Sequence, residues 1–153
     1  MKKTRSVNAI ARGTVIDHIP PKQAVNIIRL LKLTDGENKM TIGLNLSGSR
    51  APKKDIIKIE DRIISQEEAQ NIAFLAPGAT INIIEDFDIK DKIIVSLPEK
   101  VVGLLDCPNT GCITHYECIN SVFTLKQQKN TTSLSCKYCE KVFSRDEIKE
   151  YGA

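Results

Sequence analysis

The apolar positions of the chain recur at two spacings, and their order predicts the fold. Residues 7–19 read as a first extended segment. Thr14-Val15-Ile16-Asp17-His18-Ile19 is rich in β-branched residues, and Arg12-Gly13 places a turn or bulge ahead of it. Pro20-Pro21 then opens a helix, since proline is tolerated in a first turn. Ala24, Ile27, Ile28 and Leu31 follow at i, i+3, i+4 and i+7 as its apolar stripe, and Thr34-Asp35-Gly36 ends it. Met40, Ile42, Leu44 and Leu46 alternate with polar or small residues, which predicts a half-buried strand. Residues 47–52 form a loop, and 54–60 a further strand. Ser65 and Glu68 make a capping box for a second helix with the stripe Ala69, Ile72, Ala73 and Ala76, stopped by Pro77-Gly78. Residues 80–84 and 87–94 are strands joined through Glu85-Asp86. The order β-α-β-β-α-β is the split βαβ of a ferredoxin-like α+β domain, with two helices over one face of an antiparallel sheet.

Pro98 marks a boundary between residues 1–97 and 98–153. Beyond it lie short apolar runs at 101–105 and 122–125, then a polar loop, KQQKNTTS, at 126–133. Strands this short fit a small antiparallel ribbon. Such a unit buries little core, so a bound metal substitutes for hydrophobic area.

That metal is predicted by four cysteines in two close pairs, Cys107/Cys112 and Cys136/Cys139, with 23 residues between the pairs. Each pair closes a tight loop, so its sulfurs can converge on one Zn²⁺ at about 2.3 Å. Pro108, Asn109 and Gly111 are turn formers inside the first loop. Four thiolates fill a tetrahedral site, so it is structural and leaves no position for a catalytic water. His115 and Cys118 fall outside this ligand set. Lys137 and Lys141 stand where they can offset the site's excess negative charge. Two disulfides or a redox CxxC are the competing readings, and CKYC lacks the strand-then-helix setting of the redox motif. Cys118 reads as a small buried hydrophobe.

Thiolate ligands imply a reducing, cytoplasmic setting. The basic N-terminus has no apolar run after it, and no segment approaches a membrane span. Residues 1–97 carry 15 Lys/Arg against 12 Asp/Glu, and residues 98–153 carry 7 against 7. A ribbon with no net charge lacks the phosphate-attracting surface of a nucleic-acid binder. That weighs against a zinc-ribbon nucleic-acid-binding protein, the alternative function for this pattern. Asp17-His18 looks like an acid–base pair, but neighbours on a strand point to opposite faces. Lys54, Lys58, Lys90 and Lys92 lie near strand ends and read as ordinary solvated charge. No activated nucleophile and no Gly-rich phosphate loop is present.

RGTVIDHIP, KMTIGLNL, KDIIKIE, LAPGATIN, SLPE, the CPN pair and CKYCEK-x-F occur here in that order, from about Val7 to Phe143. Together they resemble the regulatory-chain family of aspartate carbamoyltransferase. The resemblance implies a nucleotide-binding domain over residues 1–97 and a zinc domain over 98–153 that contacts the catalytic chain. It implies no catalysis by this chain. Regulatory dimers would join catalytic trimers in a dodecamer, with ATP and CTP as effectors in pyrimidine biosynthesis. By position, Ala9, Ile10 and Val15 would meet base and ribose, and Asp17 and Lys58 the ribose hydroxyls. Lys92, with His18 nearby, would meet the phosphates. Asn82, Ile84 and Phe87 would lie near the base and Ile89 beside the sugar. Asn8 stands where the familiar enteric form has an acid, and Phe87 where it has tyrosine.

Overall fold

The computed structural model describes residues 9–49, 51–129 and 131–148. The chain divides between Ser96 and Leu97 into two compact units. The first holds β1 (Gly13–Ile19), α1 (Gln23–Leu30), β2 (Met40–Ser47), β3 (Lys53–Glu60), α2 (Gln66–Leu75), β4 (Thr80–Glu85) and β5 (Asp88–Ile94). Its strands pair antiparallel in the order β2-β3-β1-β4-β5. The first four are the ferredoxin-like sheet, and β5 adds a hairpin at one edge. Among the described residues no helix is long and apolar enough to cross a membrane.

Register explains the two faces of this sheet. Ile16 pairs with Ile57 on one side and Ile81 on the other, and all three are fully buried. Ala24, Ile27, Ile28 and Leu30 of α1 and Ala69, Ile72 and Ala73 of α2 supply the helical part of the core. One residue along, Lys58, Val15, Asn82 and Lys92 stand opposite one another across β3, β1, β4 and β5. Alternation along a strand puts that rank on the other face.

The capping box on α2 forms as the sequence predicts, with Ser65 Oγ accepting from Glu68 N–H at 3.1 Å and Glu68 Oε1 from Ser65 N–H at 3.2 Å. Helix α1 differs. It starts at Gln23, after Lys22 in a left-handed conformation, so Pro20-Pro21 belong to the preceding turn. The fourth buried position is Leu30, while Leu31 is the C-cap. The N-terminus of α1 is capped from a distance. The Asp55 carboxylate, fully buried, accepts from Lys22 N–H (3.0 Å), Ala24 N–H (3.3 Å) and, across the sheet, Asn45 N–H (3.0 Å).

The first strand also departs from expectation. Residues 7 and 8 lie outside the described residues, and the strand begins at Gly13. This glycine has φ +137°, and a Cβ would sit 2.0 Å from the Ile59 carbonyl oxygen. A bend at Ala11–Arg12 precedes it, as expected, and a second irregularity lies further on, where His18 (φ +57°) shifts the β1–β3 register between Ile16 and Ile19. In β2, Ile42 and Leu44 are exposed rather than half-buried, because β2 is an edge strand with its own register shift between Gly43 and Leu46.

The second unit is an antiparallel sheet in the order β6 (Lys100–Val102), β7 (Val122–Gln128), β8 (Thr131–Cys136) and β9 (Val142–Ser144). The predicted polar loop is mostly strand: Lys126, Gln127 and Gln128 pair with Ser133, Thr132 and Thr131. These side chains are largely exposed, so alternation does not betray the strands. The buried apolar residues here are Val101, Leu105, Phe123, Leu134 and Ile148, apart from cysteines.

The buried Asp55 yields a direct prediction. Asp55→Ala removes the buried acceptor of three backbone N–H groups, at Lys22, Ala24 and Asn45, and leaves the buried Ala24 donor unpaired, so urea denaturation should show a loss of about 2–4 kcal/mol. A change under about 0.5 kcal/mol, the size of an ordinary surface substitution, contradicts this role.

Candidate metal centre and ligand cavity

The first cysteine loop is wound by Asn109. Its carbonyl accepts from Cys112 N–H at 3.0 Å, and its Oδ1 from Gly111 N–H at 3.1 Å. The second loop leaves the end of β8, where Cys136 N–H donates to Lys141 O (3.0 Å) and Cys136 O accepts from Glu140 N–H (2.9 Å). These turns bring Cys107, Cys112, Cys136 and Cys139 together, with all four sulfurs within 4.8 Å of one another. Cys107 Sγ lies 3.7 Å from Cys139 Sγ, and Cys112 Sγ 3.8 Å from Cys136 Sγ. Four sulfurs around a zinc at about 2.3 Å stand about 3.8 Å apart in a tetrahedron. The donor set therefore fits a structural Zn²⁺.

Burial pushes the Cys107 and Cys136 thiols up. Burial acts in the same sense on Cys139, but hydrogen bonds from the Lys141 backbone and the Asn109 side chain, with Cys136 and Cys107, bring it down to about 7. His115 Nε2 lies 2.8 Å from the Cys107 carbonyl oxygen, so its ring is turned to backbone. Cys118 is exposed, not a buried hydrophobe, since the segment from Tyr116 to Asn120 runs over the surface after a 3₁₀ turn at Ile113–His115.

On the face of the first sheet opposite the buried isoleucines lies a cavity of about 620 Å³, inside the roughly 300–1,000 Å³ range of small-ligand sites. Ala9, Ile10, Val15, Asp17, Lys58, Asn82, Ile84, Phe87 and Ile89 line it. The sequence missed two lining residues, Ile56 and Asp88, which register and the β4–β5 turn bring in. Phe87 sits in that turn at φ +67°, and its N–H donates to Ala11 O at 3.0 Å, tying the segment before β1 to the hairpin. Asn8 lies outside the described residues. Asn82 Oδ1 is buried with no hydrogen-bond partner among the described residues.

His18 and Lys92 do not line this cavity. Lys92 shares its face, opposite Asn82 in register. His18 lines a separate apolar cavity of about 260 Å³ with Pro20, Gly48, Lys53 and Lys54. An ion pair that the sequence does not announce links a lining residue of each cavity, Lys54 Nζ to Asp17 Oδ1 at 2.8 Å. A further open cavity of about 640 Å³ shares only Ile84 with the first, and its Lys90 is paired with Glu85 at 2.6 Å.

Partial burial raises the Asp17 carboxyl, but the Lys54 hydrogen bond, the His18 backbone N–H and the Lys54 charge outweigh it and hold it below the ordinary 3.8. The sign follows: this contribution to stability is present above the unfolded-state value and is lost as pH falls through the depressed one. Lys54→Met should therefore raise the Asp17 pKa in a carboxyl-carbon NMR titration, and an unmoved midpoint would count against the ion pair. At the metal centre, elemental analysis of Cys118→Ser should show one zinc per chain and Cys136→Ala far less. Loss of zinc from Cys118→Ser would overturn the ligand set.

Comparison with known proteins bears on both sites. Residues 5–96 match the family described as the aspartate carbamoyltransferase regulatory chain, allosteric domain, and residues 99–149 its metal binding domain. Among similar proteins, the aspartate carbamoyltransferase regulatory chain of Chromobacterium violaceum is 46% identical over 150 residues, covering 98% of this chain and 99% of its own. That of a Vibrio species is 48% identical over 140 residues, 92% of each chain. That of Yersinia pseudotuberculosis is 46% identical over 137 residues, 90% of this chain and 89% of its own. With both units matched and relatives this similar along nearly the full length, the chain belongs to the aspartate carbamoyltransferase regulatory chain family, whose members are non-catalytic subunits with an allosteric and a metal-binding domain.

Proposed function

We propose that the first unit binds ATP and CTP as competing effectors, and that the zinc-held second unit docks on the catalytic chain of aspartate carbamoyltransferase. The observation that carries the first half is the sheet-face cavity, which sets an acid and a lysine within an apolar rim. Ala9, Ile10, Val15, Ile84, Phe87 and Ile89 give apolar surface for base and sugar. Asp17 and Lys58 hold the ribose hydroxyls. Asn82 Oδ1, a buried acceptor without a partner, calls for a donor, and adenine and cytosine each carry an exocyclic amino group. The phosphates run toward Lys92, His18 and the Lys54–Asp17 pair, where mobile lysine charges suit them.

Two surfaces support assembly. Edge strand β2 exposes Ile42 and Leu44 beside an open row of backbone groups, the kind of edge on which a second copy pairs to form a regulatory dimer. The second unit exposes Val102, Ile113, Tyr116, Ile119, Tyr138 and Val142 on a segment without net charge, a surface suited to a protein and not to nucleic acid. Regulatory dimers joining catalytic trimers give the dodecamer, in a reducing cytoplasm where the thiolates persist. With no catalytic residue in the cavity, a nucleotide changes the rate only by binding two global states with different affinity.

Calorimetry tests the effector site. ATP should raise the apparent Kd of CTP competitively. Lys92→Ala should weaken CTP by about 1.5–3 kcal/mol, roughly ten- to a hundredfold. Unchanged CTP affinity would remove Lys92 from the phosphate site, and additive, non-competitive binding of the two nucleotides would remove the shared cavity.

A further inference from the structure

The metal centre concentrates negative charge on buried sulfurs. Zn²⁺ with four thiolates carries two net negative charges, here on sulfurs that are nearly enclosed: Cys107 is 4% exposed, Cys112 1% and Cys136 1%. Buried charge requires compensation. The ammonium of Lys137 lies over the Tyr138 ring, 5.8 Å from its centroid, and Lys141 meets Cys139 through its backbone. Hydrogen bonds meet every sulfur. The Asn109 backbone bonds Cys107, the Tyr138 and Cys139 backbones bond Cys136, and the Lys141 backbone with the Asn109 side chain bonds Cys139.

Cys112 is served by one residue twice over. Thr114, half-buried in the 3₁₀ turn that leaves the first cysteine loop, donates its hydroxyl to Cys112 Sγ at 3.2 Å, and its backbone bonds the same sulfur. We propose that Thr114 is a positioning residue for the metal centre: its hydroxyl orients Cys112 Sγ and takes up part of the thiolate charge, which sets the affinity for zinc. Groups that hydrogen-bond a metal ligand typically carry ten- to a hundredfold in metal affinity. The hydroxyl does this from a side chain, so it can be removed without touching the turn. Valine keeps the branched shape and loses the donor, whereas serine keeps the donor and loses the methyl group.

The test uses the full chain and two readouts. Zinc affinity is measured by competition with a chelator, and the sulfur-to-metal charge-transfer band is recorded with Co²⁺ in place of Zn²⁺. Thr114→Val should weaken zinc roughly tenfold and move the cobalt band to lower energy, because losing a hydrogen bond raises the sulfur lone pair. Thr114→Ser should stay within about twofold of the parent and keep the band in place, since the bond to the ligand sulfur is retained. Parental affinity and band in Thr114→Val would overturn the proposal. So would a Thr114→Ser variant as impaired as Thr114→Val, since the methyl group and not the hydroxyl would then be what the site needs.

Discussion

Four sulfurs within 4.8 Å of one another persist as thiolates only around a cation, and the second unit is built on that requirement. Its buried apolar side chains outside the cysteines are Val101, Leu105, Phe123, Leu134 and Ile148. Such a set falls short of the conformational entropy of ordering some fifty residues. A structural zinc supplies on the order of 10 kcal/mol or more in isolated fingers, which closes that gap. The metal also organises the sheet. Cys136 is the last residue of β8, and its N–H and C=O bonds to Lys141 and Glu140 start the loop that returns as β9. Losing the centre therefore unties the ladder as well as the loops.

The first unit is under no such constraint. Ile16, Ile57 and Ile81 form an apolar rank under two amphipathic helices, and Asp55 satisfies backbone donors at α1 and β2 without a metal. Because side chains alternate along β1 up to the irregularity at His18, the same strand that contributes Ile16 to the core offers Val15 and Asp17 to the opposite face. The core and the cavity thus draw on alternate residues of one strand. His18, at the irregularity, lines the smaller cavity and not the one on the sheet face.

Features set by local chemistry were legible in the sequence. The α2 capping box needs only Ser65 and Glu68 three residues apart, and the cysteine cluster needs only two tight loops and a return. Nine of the positions carried over by family resemblance line one cavity: register across β3, β1 and β4 sets Lys58, Val15, Asp17, Asn82 and Ile84 on one face, and the segment before β1 and the β4–β5 hairpin bring in the other four. Features set by distant partners were not legible. The cap of α1 is Asp55, far along the chain, so Pro20-Pro21 gave a false start. Ile42 and Leu44 alternate like a buried strand, yet an edge position leaves them exposed. Residues 126–133 look like a loop because both faces of that hairpin are polar. Lys54 reads as solvated charge until the fold sets it beside Asp17.

On the proposed function, nucleotide binding and metal-dependent assembly belong to separate units. Metal-free chain, stripped with a chelator under reducing conditions, tests it most directly when CTP calorimetry is paired with size-exclusion chromatography against catalytic trimers. CTP binding should survive while assembly is lost, and added zinc should restore assembly. Loss of CTP binding together with the metal, or assembly that persists without it, would contradict the claim.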